Sequence, residues 1–193
     1  MDKRILKTKR NLKETLIRLI KEKPFEKINV TSLCEFAQTS RITFYTYYED
    51  KYELLEELFQ DFTAETVAEY HSLQAKNNPD KNTLKGYFNM LESILSLYAK
   101  HRDLLKHTSQ DNNPYIFSSF YRHIYHNVEH YITEHDTQLK SKYPASMTAT
   151  MLCTGLLGVL NECYRSEHSI KTLLPYIRDM YKDLLMSNLF VTV

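Results

Sequence analysis

Residues 29 to 55 read NVTSLCEFAQTSRITFYTYYEDKYELL, and this stretch decides the fold. Asn29 is a suitable N-cap for a short helix, and the polar residues 38 to 40 break the chain after that helix. Ser40 is then placed to cap a second helix over residues 41 to 48. Two short helices joined by a three-residue turn predict a helix-turn-helix.

Helices are also predicted on both sides of this stretch. Apolar residues at helical spacing indicate a first helix over residues 5 to 23, which Pro24 ends, and a fourth helix opens at Asp50 and Lys51. A fifth helix is predicted to continue to about residue 76. Further helices are predicted at 83 to 99, 101 to 107, 115 to 134, 145 to 164 and 175 to 189. Polar stretches, including residues 136 to 142, separate the later helices. The predicted fold class is all-α, with a helix-turn-helix head at 1–50 and a helical body at 51–193.

The composition favours helices and an intracellular protein. Three glycines and five prolines in 193 residues leave few residues for the tight turns of a many-stranded sheet. Cys34, Cys153 and Cys163 are odd in number and far apart, so we expect buried thiols and no disulfide. The basic start is followed by an amphipathic segment and not by the apolar core of a signal peptide, and no stretch is apolar enough to cross a membrane. These features predict a cytoplasmic protein.

Charge is distributed unevenly along the chain. The net charge is only +1, but residues 1 to 51 hold 12 Lys or Arg against 7 Asp or Glu, and the remaining residues hold 13 against 17. A basic head on an acidic body is typical of a module that faces phosphates, because cations that neutralise phosphates supply most sequence-independent affinity for nucleic acid.

The stretch from Asn29 to Leu55 resembles the N-terminal DNA-binding domain of the tetracycline-repressor (TetR) family. The matching steps are Leu33-Cys34 in the short helix, Ser40-Arg41-Ile42-Thr43-Phe44-Tyr45-Thr46-Tyr47-Tyr48 in the next, and Asp50-Lys51 with Leu54 and Leu55. Two departures are Gln38-Thr39, where the family usually has Gly-Val, and Ile42, where glycine is frequent. The resemblance implies a DNA-binding transcription regulator, with repression as the expected role, that binds a palindromic double-stranded operator as a homodimer and needs no cofactor.

On this resemblance, the candidate DNA contacts lie on the two short helices and at the start of the fourth. They are Thr31, Ser40, Arg41, Ile42, Thr43, Tyr45, Thr46, Tyr47 and Lys51. Arg41 and Thr43 are expected at base edges and Ile42 at a thymine methyl group, because these side chains suit the donors, acceptors and methyl groups of the major groove. Tyr45, Tyr47, Lys51 and the free amides of the fourth helix are expected at phosphates. The competing interpretation is a solvated surface helix.

Phe44 and Tyr48 lie four residues apart and are expected to face inward together. In the body, the resemblance implies dimerisation through the last two helices and an effector pocket. Residues 145 to 164 are apolar on more than one face, and Gly155 and Gly158 permit close approach of another helix. The candidate pocket residues are Tyr87, Met90, Tyr98, Phe117, Phe120, Tyr121 and Tyr125, which are equally compatible with an ordinary core.

Other classes of function find less support. No glycine-rich phosphate loop, nucleophile elbow or zinc-protease motif is present, so no catalytic residues are expected. His123, His126 and His130 share a helix face with Glu134, but further ligands at matching spacing are lacking, so no metal is expected. The main alternative is an all-helical protein-interaction adaptor that does not bind DNA, and a small metal-binding protein is a remote third.

Overall fold

The computed structural model describes residues 3–108, 112–135, 139–165, 170–187 and 189–192, and most of these residues are helical. The helices are α1 (Lys3–Glu22), α2 (Val30–Phe36), α3 (Arg41–Tyr47), α4 (Lys51–Asn77), α5 (Thr83–Lys100), α6 (Arg102–Leu105), α7 (Pro114–Glu134), α8 (Ala145–Arg165) and α9 (Ile170–Met186). A 3₁₀ turn, Phe25–Lys27, precedes α2, and the short strands β1 (Leu139–Ser141) and β2 (Phe190–Thr192) pair with each other. The predicted all-α class is confirmed, with this strand pair as an addition.

The chain forms two compact units. Unit 1 comprises Met1–Phe62 and Arg102–Ser119, and unit 2 comprises Thr63–His101 and Phe120–Val193. Unit 1 therefore contains α1 to α3, the start of α4, all of α6 and the start of α7. It is larger than the head expected at 1–50. Among the described residues, no helix has the length and apolar character needed to cross a membrane.

The core of unit 1 forms on the apolar stripes that the sequence predicts. Helix α1 buries Leu12, Leu16, Leu19 and Ile20, whose spacing places them on one side of a helix. From the other elements, unit 1 buries Phe25, Ile28, Leu33, Phe44, Tyr48, Leu54, Leu55, Leu58, Leu104, Leu105 and Ile116. Burial of these apolar side chains is the main source of stability for the unit.

The buried side chain of Asn113 forms hydrogen bonds with the 3₁₀ turn at Phe25 and with the residues after α6. The Phe25 N–H donates to Asn113 Oδ1 at 2.7 Å, and Asn113 Nδ2 donates to the carbonyl of His107 at 2.6 Å. The Ser119 hydroxyl donates to a Glu56 carboxylate oxygen at 3.0 Å. These bonds satisfy polar groups that would be costly to bury unpaired, and they join two parts of unit 1 that are far apart in sequence.

In unit 2, α8 and α9 pack closely. The buried Tyr181 hydroxyl donates to the carbonyl of Leu152 at 2.5 Å, and a Cβ at Gly155 would lie 3.3 Å from that hydroxyl. Arg178 of α9 also makes a two-pronged ion pair with Glu92 of α5, with N···O distances of 2.5 and 2.9 Å. Such paired contacts hold a guanidinium and a carboxylate in one relative orientation.

The strand pair differs from the loop expected at 136–142. Ser141 pairs with Phe190 in the antiparallel register, and the hydroxyls of Ser141 and Thr148 are 2.8 Å apart. The Phe190 ring packs on Tyr87 with ring centroids 4.8 Å apart. A three-residue strand has no readable period in the sequence, and its partner lies about fifty residues away, so a local pattern could not predict it.

Two predicted helix boundaries were wrong. The fourth and fifth predicted helices are one helix, α4, because no proline or glycine interrupts residues 51 to 77. The last helix begins at Ile170 and contains Pro175, which was expected to start it. Pro175 is the sixth residue of this helix, so it lacks an N–H that would otherwise bond within the helix, and the helix continues through it.

Candidate nucleic-acid interface

Each short helix of the helix-turn-helix begins at a side-chain cap. The Asn29 Oδ1 accepts the Ser32 N–H at 2.8 Å, and the Ser40 Oγ accepts the Thr43 N–H at 3.0 Å. A cap of this kind satisfies a backbone donor that the first helical turn leaves without a partner. The two caps that the sequence predicts are therefore confirmed, and they determine where α2 and α3 begin.

The turn between α2 and α3 is built on a left-handed residue. Gln38 has φ 50°, the Thr39 N–H donates to the Cys34 carbonyl at 2.9 Å, and the Gln38 N–H donates to the Glu35 carbonyl at 3.1 Å. This pair of bonds is the Schellman arrangement that ends many helices. The left-handed conformation at this position favours glycine, so glutamine adopts the same turn at a backbone cost of about 1–2 kcal/mol.

Helix α3 has one buried face and one exposed face. Phe44 is 0% exposed and Tyr48 is 2% exposed, which confirms that both face inward. Ile42 is 83% exposed and Tyr45 is 51% exposed, and together with Arg41 and Thr46 they line a shallow depression. Thr31 and Ser40 are also exposed, whereas Thr43 and Tyr47 are half-buried.

Among the described residues, the Arg41 guanidinium takes part in no ion pair or hydrogen bond, although nearby cations of unit 1 do. The Lys9 ammonium lies 2.7 Å from Glu57, and the Lys13 ammonium bonds to both Glu57 and Asp61. Burial opposes ionisation of Glu57, but hydrogen bonds from the two lysines outweigh it and lower the pKa of the carboxyl group. These two lysines connect α1 to α4, while Arg41 stays available to a partner.

The Lys51 ammonium binds backbone carbonyls of its own chain and is not free for the phosphate contact expected from the sequence. Its ammonium donates to the carbonyls of Phe25 at 2.8 Å, Glu26 at 3.0 Å and Ile28 at 2.7 Å, and it lies 4.6 Å from the centroid of the Phe25 ring. An ammonium group has three donors, so Lys51 has none left for a phosphate. Burial also lowers the pKa of Lys51. The expectation of a phosphate contact overlooked these carbonyls, which lie 23 to 26 residues away in sequence.

The amides at the start of α4 are occupied as well. The Asp50 Oδ1 accepts the N–H groups of Tyr52 at 2.8 Å and Glu53 at 2.9 Å, and the Glu53 carboxylate accepts the Glu49 N–H at 2.6 Å. This reciprocal arrangement resembles a capping box. The prediction that these amides are free for a phosphate was wrong, because the carboxylates of the same turn already bind them.

The comparisons with known proteins concern the fold. No protein-family model and no curated protein sequence matches the chain. The solved structures that resemble it include a protein from Syntrophomonas wolfei assigned to the TetR family of transcriptional regulators, with a TM-score of 0.74 and 13% identity, covering 94% of this chain and 96% of that one. A TetR transcriptional regulator from Streptococcus agalactiae has a TM-score of 0.59 and 23% identity, covering 93% and 96%.

A third similar structure is NalD of Pseudomonas aeruginosa, described as the secondary repressor of the MexAB-OprM multidrug efflux pump. Its TM-score is 0.62 at 16% identity, and the match covers 95% of each chain. The chain has the fold of TetR-family regulators. The fold implied by residues 29 to 55 is thereby confirmed over nearly the whole chain, well beyond the 27 residues that carry the sequence motif.

Unit 2 of this TetR-like fold contains a small apolar cavity of about 40 Å³. Its lining residues are Tyr87, Met90, Leu91, Ile94, Ile124, Val128, Leu152, Cys153, Leu156, Tyr181 and Leu185. Pockets for organic ligands usually measure roughly 300–1,000 Å³, so the cavity as it stands has room for only a few water-sized molecules. Burial raises the pKa of the Cys153 thiol to about 12, so this group is neutral and unreactive near pH 7.

Only Tyr87 and Met90 of the predicted pocket residues line this cavity. The other five, Tyr98, Phe117, Phe120, Tyr121 and Tyr125, do not line it. Tyr98 and Phe120 are buried core residues, Phe117 belongs to unit 1, and the Tyr121 and Tyr125 rings stack on each other at 5.9 Å. The aliphatic residues that do line it gave no signal in the sequence, because any apolar helix position can face a core or a cavity.

Helices α8 and α9 each present an exposed apolar stripe. On α8, Met147 and Met151 are 64% and 45% exposed, and Gly155 and Gly158 continue that side of the helix. On α9, the exposed Tyr176 and Met180 lie four residues apart on one side of the helix. Large apolar residues exposed at helical spacing on neighbouring helices are typical of a surface that a protein partner covers.

The histidines of α7 do not form a cluster. His123 Nδ1 lies 3.3 Å from the Thr63 hydroxyl, and His130 Nε2 lies 3.2 Å from the Glu134 carboxylate on the exposed surface. In the part of the chain that the structure describes, no three His, Cys, Asp or Glu side chains lie close enough to hold a metal ion.

Proposed function

We propose that the chain is a transcription regulator of the TetR family that binds double-stranded operator DNA, with α3 in the major groove. The observation that carries the proposal is the unpartnered Arg41 guanidinium on the exposed face of α3. A capped helix with a buried aromatic face and an exposed arginine at its N-terminal end matches the docking geometry of helix-turn-helix proteins. Arginine suits this position because its two parallel N–H groups fit the acceptors of guanine.

The remaining contacts divide by what each side chain offers. Thr31 and Tyr45 are exposed hydroxyl groups on α2 and α3 and suit phosphates, as does Tyr47 at the half-buried end of α3. The first part of α1 adds the exposed cations Lys3 and Lys7 for the phosphate backbone. The proposed contacts also include Ser40, Ile42, Thr43 and Thr46, and they omit Lys51.

Selection from random duplexes of about 30 base pairs, long enough for two half-sites one helical turn apart, tests the proposal. We expect enrichment of a palindrome, whose binding constant falls steeply with salt concentration. Arg41→Ala should lower the preference for that duplex over a scrambled one by about tenfold or more, because a contact to a base is lost in each half-site. Arg122→Ala, an exposed arginine of unit 2, removes the same charge and should leave the preference unchanged. The absence of any enriched sequence would refute the proposal.

We propose further that the regulator is a homodimer. The exposed stripes of α8 and α9 support this, because two copies related by a two-fold axis would bury them together in a four-helix bundle. Sedimentation velocity on a Met147→Glu, Met180→Glu variant should show a monomer that no longer binds the palindrome. Val67→Glu adds charge at an exposed apolar site on α4, away from the two stripes, and should remain a dimer. A double variant that stays dimeric would place the interface elsewhere.

We propose that the protein acts in the cytoplasm as a repressor. A dimer bound to an operator blocks transcription by itself and needs no additional surface for contacting RNA polymerase. A reporter placed behind the enriched palindrome should lose expression when the protein is present and regain it with Arg41→Ala. An increase in expression would show an activator. NalD is described as a repressor, and DhaS, another protein of similar fold, is described as an operon activator.

We propose further that a small-molecule effector binds in the apolar cavity of unit 2. Because that cavity holds only about 40 Å³, the helices around it must separate to admit an organic molecule. Thermal unfolding across a panel of apolar metabolites tests this, since a ligand that binds the folded state raises Tm. Cys153→Phe, which fills the cavity, should abolish the increase in Tm. An increase that persists in this variant would place the ligand elsewhere.

A further inference from the structure

The exposed surface of α3 is largely apolar. Ile42 is 83% exposed, the largest exposure among the large apolar side chains of the described residues, and it lies beside the half-exposed ring of Tyr45. Scattered exposed apolar residues are common on protein surfaces. Ile42, however, shares a depression with Arg41, the cation on this helix that has no partner within the described chain.

Two of the hydroxyl hydrogens near Ile42 are already used within the chain. The Thr46 hydroxyl donates to the Ile42 carbonyl at 2.9 Å, so its one hydrogen is unavailable to a base. The Ser40 Oγ accepts the Thr43 N–H at 3.0 Å and lies 2.8 Å from the Thr43 hydroxyl, so one of those two hydroxyls donates to the other. On this face of α3, Arg41 keeps all its guanidinium donors for a base edge, and the area around Ile42 is suited to apolar contact.

We infer that Ile42 is a specificity residue that recognises the C5 methyl group of a thymine, or of another 5-methylpyrimidine, next to the base bound by Arg41. This inference rests on the proposed DNA-binding function. In the major groove only thymine among the four bases presents a methyl group, and an aliphatic side chain satisfies neither the O4 acceptor of thymine nor the N4 donor of cytosine. An isoleucine at this position consequently favours thymine by burying its methyl group.

The size of the effect follows from the area that the contact removes from water. Burying one methyl group changes an association constant by about three- to fivefold. A homodimer makes the contact once in each half-site of a palindrome, so removing both methyl groups should weaken binding by about tenfold or more.

The test uses the duplex enriched by selection, resynthesised with deoxyuridine in place of thymidine at one position at a time. Deoxyuridine lacks only the C5 methyl group, so each duplex isolates that group. Fluorescence anisotropy at fixed salt should show one position, which the palindrome repeats in the second half-site, at which the replacement weakens binding by about three- to fivefold per half-site. Placing 5-methylcytosine instead of cytosine at that position should strengthen binding by a similar factor.

Two variants connect the effect to the side chain. Ile42→Ala should bind the thymidine and deoxyuridine duplexes equally, and Ile42→Val should reduce the difference without removing it. Val67→Ala, which truncates an exposed apolar side chain of unit 2, should keep the full difference. Because Ile42 is exposed, these variants should retain the wild-type Tm.

The outcomes separate the inference from the proposed function. A wild-type protein that binds the thymidine duplex and every deoxyuridine duplex with equal affinity keeps its proposed function and overturns the inference. An Ile42→Ala variant that keeps the full deoxyuridine effect also overturns it, because another side chain then contacts the methyl group. Failure to enrich any duplex overturns the proposed function, and the inference with it.

Discussion

Replacing Lys51 with methionine distinguishes a structural lysine from a phosphate contact. Methionine keeps much of the apolar stem but removes the charge and the three donors that reach the carbonyls of Phe25, Glu26 and Ile28. We therefore expect Lys51→Met to lower the free energy of unfolding and to leave the DNA contacts intact.

The three lost bonds do not contribute equally. The Phe25 carbonyl still accepts the Ile28 N–H at 3.0 Å, and water replaces Lys51 at the exposed Glu26. Ile28 is 1% exposed, so its carbonyl loses a partner that water replaces poorly. One lost bond to a charged group and a weakened cation–π contact together amount to about 2 kcal/mol. For a protein of this size, that corresponds to a decrease in Tm of about 4–8 °C.

Thermal unfolding followed by circular dichroism at one protein concentration measures this effect. Lys27→Met is the control, because Lys27 is an exposed lysine of the same 3₁₀ turn, and it should leave Tm unchanged. The slope of log K for DNA against log salt concentration should be the same for Lys51→Met as for wild type. An unchanged Tm together with a slope reduced by about two, one for each half-site bound by the dimer, would refute the reasoning and restore Lys51 as a phosphate contact.

Three other predictions concern the turn, a helix contact and acid stability. Gln38→Gly should raise the free energy of unfolding in urea by about 0.5–1 kcal/mol. Glycine adopts the left-handed conformation without the backbone cost that glutamine has there, and the greater conformational entropy of glycine in the unfolded chain offsets only part of this gain. Gly86→Ala should lower it by about 1–2 kcal/mol, because the added methyl group would overlap the buried Tyr131 hydroxyl. Tm should fall as the pH decreases below 4.5, the usual pKa of a glutamate. The depressed pKa of Glu57 in the folded protein contributes stability above that pH, and the contribution disappears as the pH passes through the folded pKa.

Each of these predictions has a matched control. Gln38→Ala keeps the left-handed penalty and should be neutral, so an equal gain from alanine would contradict the role of φ. Adding Tyr131→Phe to Gly86→Ala should recover part of the loss, and an undiminished loss would exclude the overlap as its cause. Glu57→Gln should flatten the acid side of the pH profile, and an unaltered profile would assign the acid sensitivity to other carboxyl groups.

Local interactions explain why the helix-turn-helix could be predicted. The caps at Asn29 and Ser40 each bond to an N–H group three residues away, and the inward pair Phe44 and Tyr48 lies four residues apart. A cap and a helical period depend on neighbouring residues alone, so the sequence contains all the information they need.

The cavity shows the opposite case. Aromatic residues of α5 and α7 were the natural candidates for its lining, yet Tyr98 and Phe120 are buried in the core, while Ile124 and Val128 line the cavity. Which apolar side of a helix meets a void depends on the relative rotation of several helices, and a single-helix pattern does not contain that rotation.

The sequence by itself determined the helical class, the limits of α2 and α3, and the division of α3 into a buried aromatic face and an exposed face with Arg41 and Ile42. The tertiary structure alone decided that Lys51 binds the carbonyls around the 3₁₀ turn, that residues 102–119 belong to unit 1 and that β1 pairs with β2. The physical reason is distance along the chain. Caps and helical periods form between near neighbours, whereas these three features join residues 23 or more positions apart, which only the folded chain brings together.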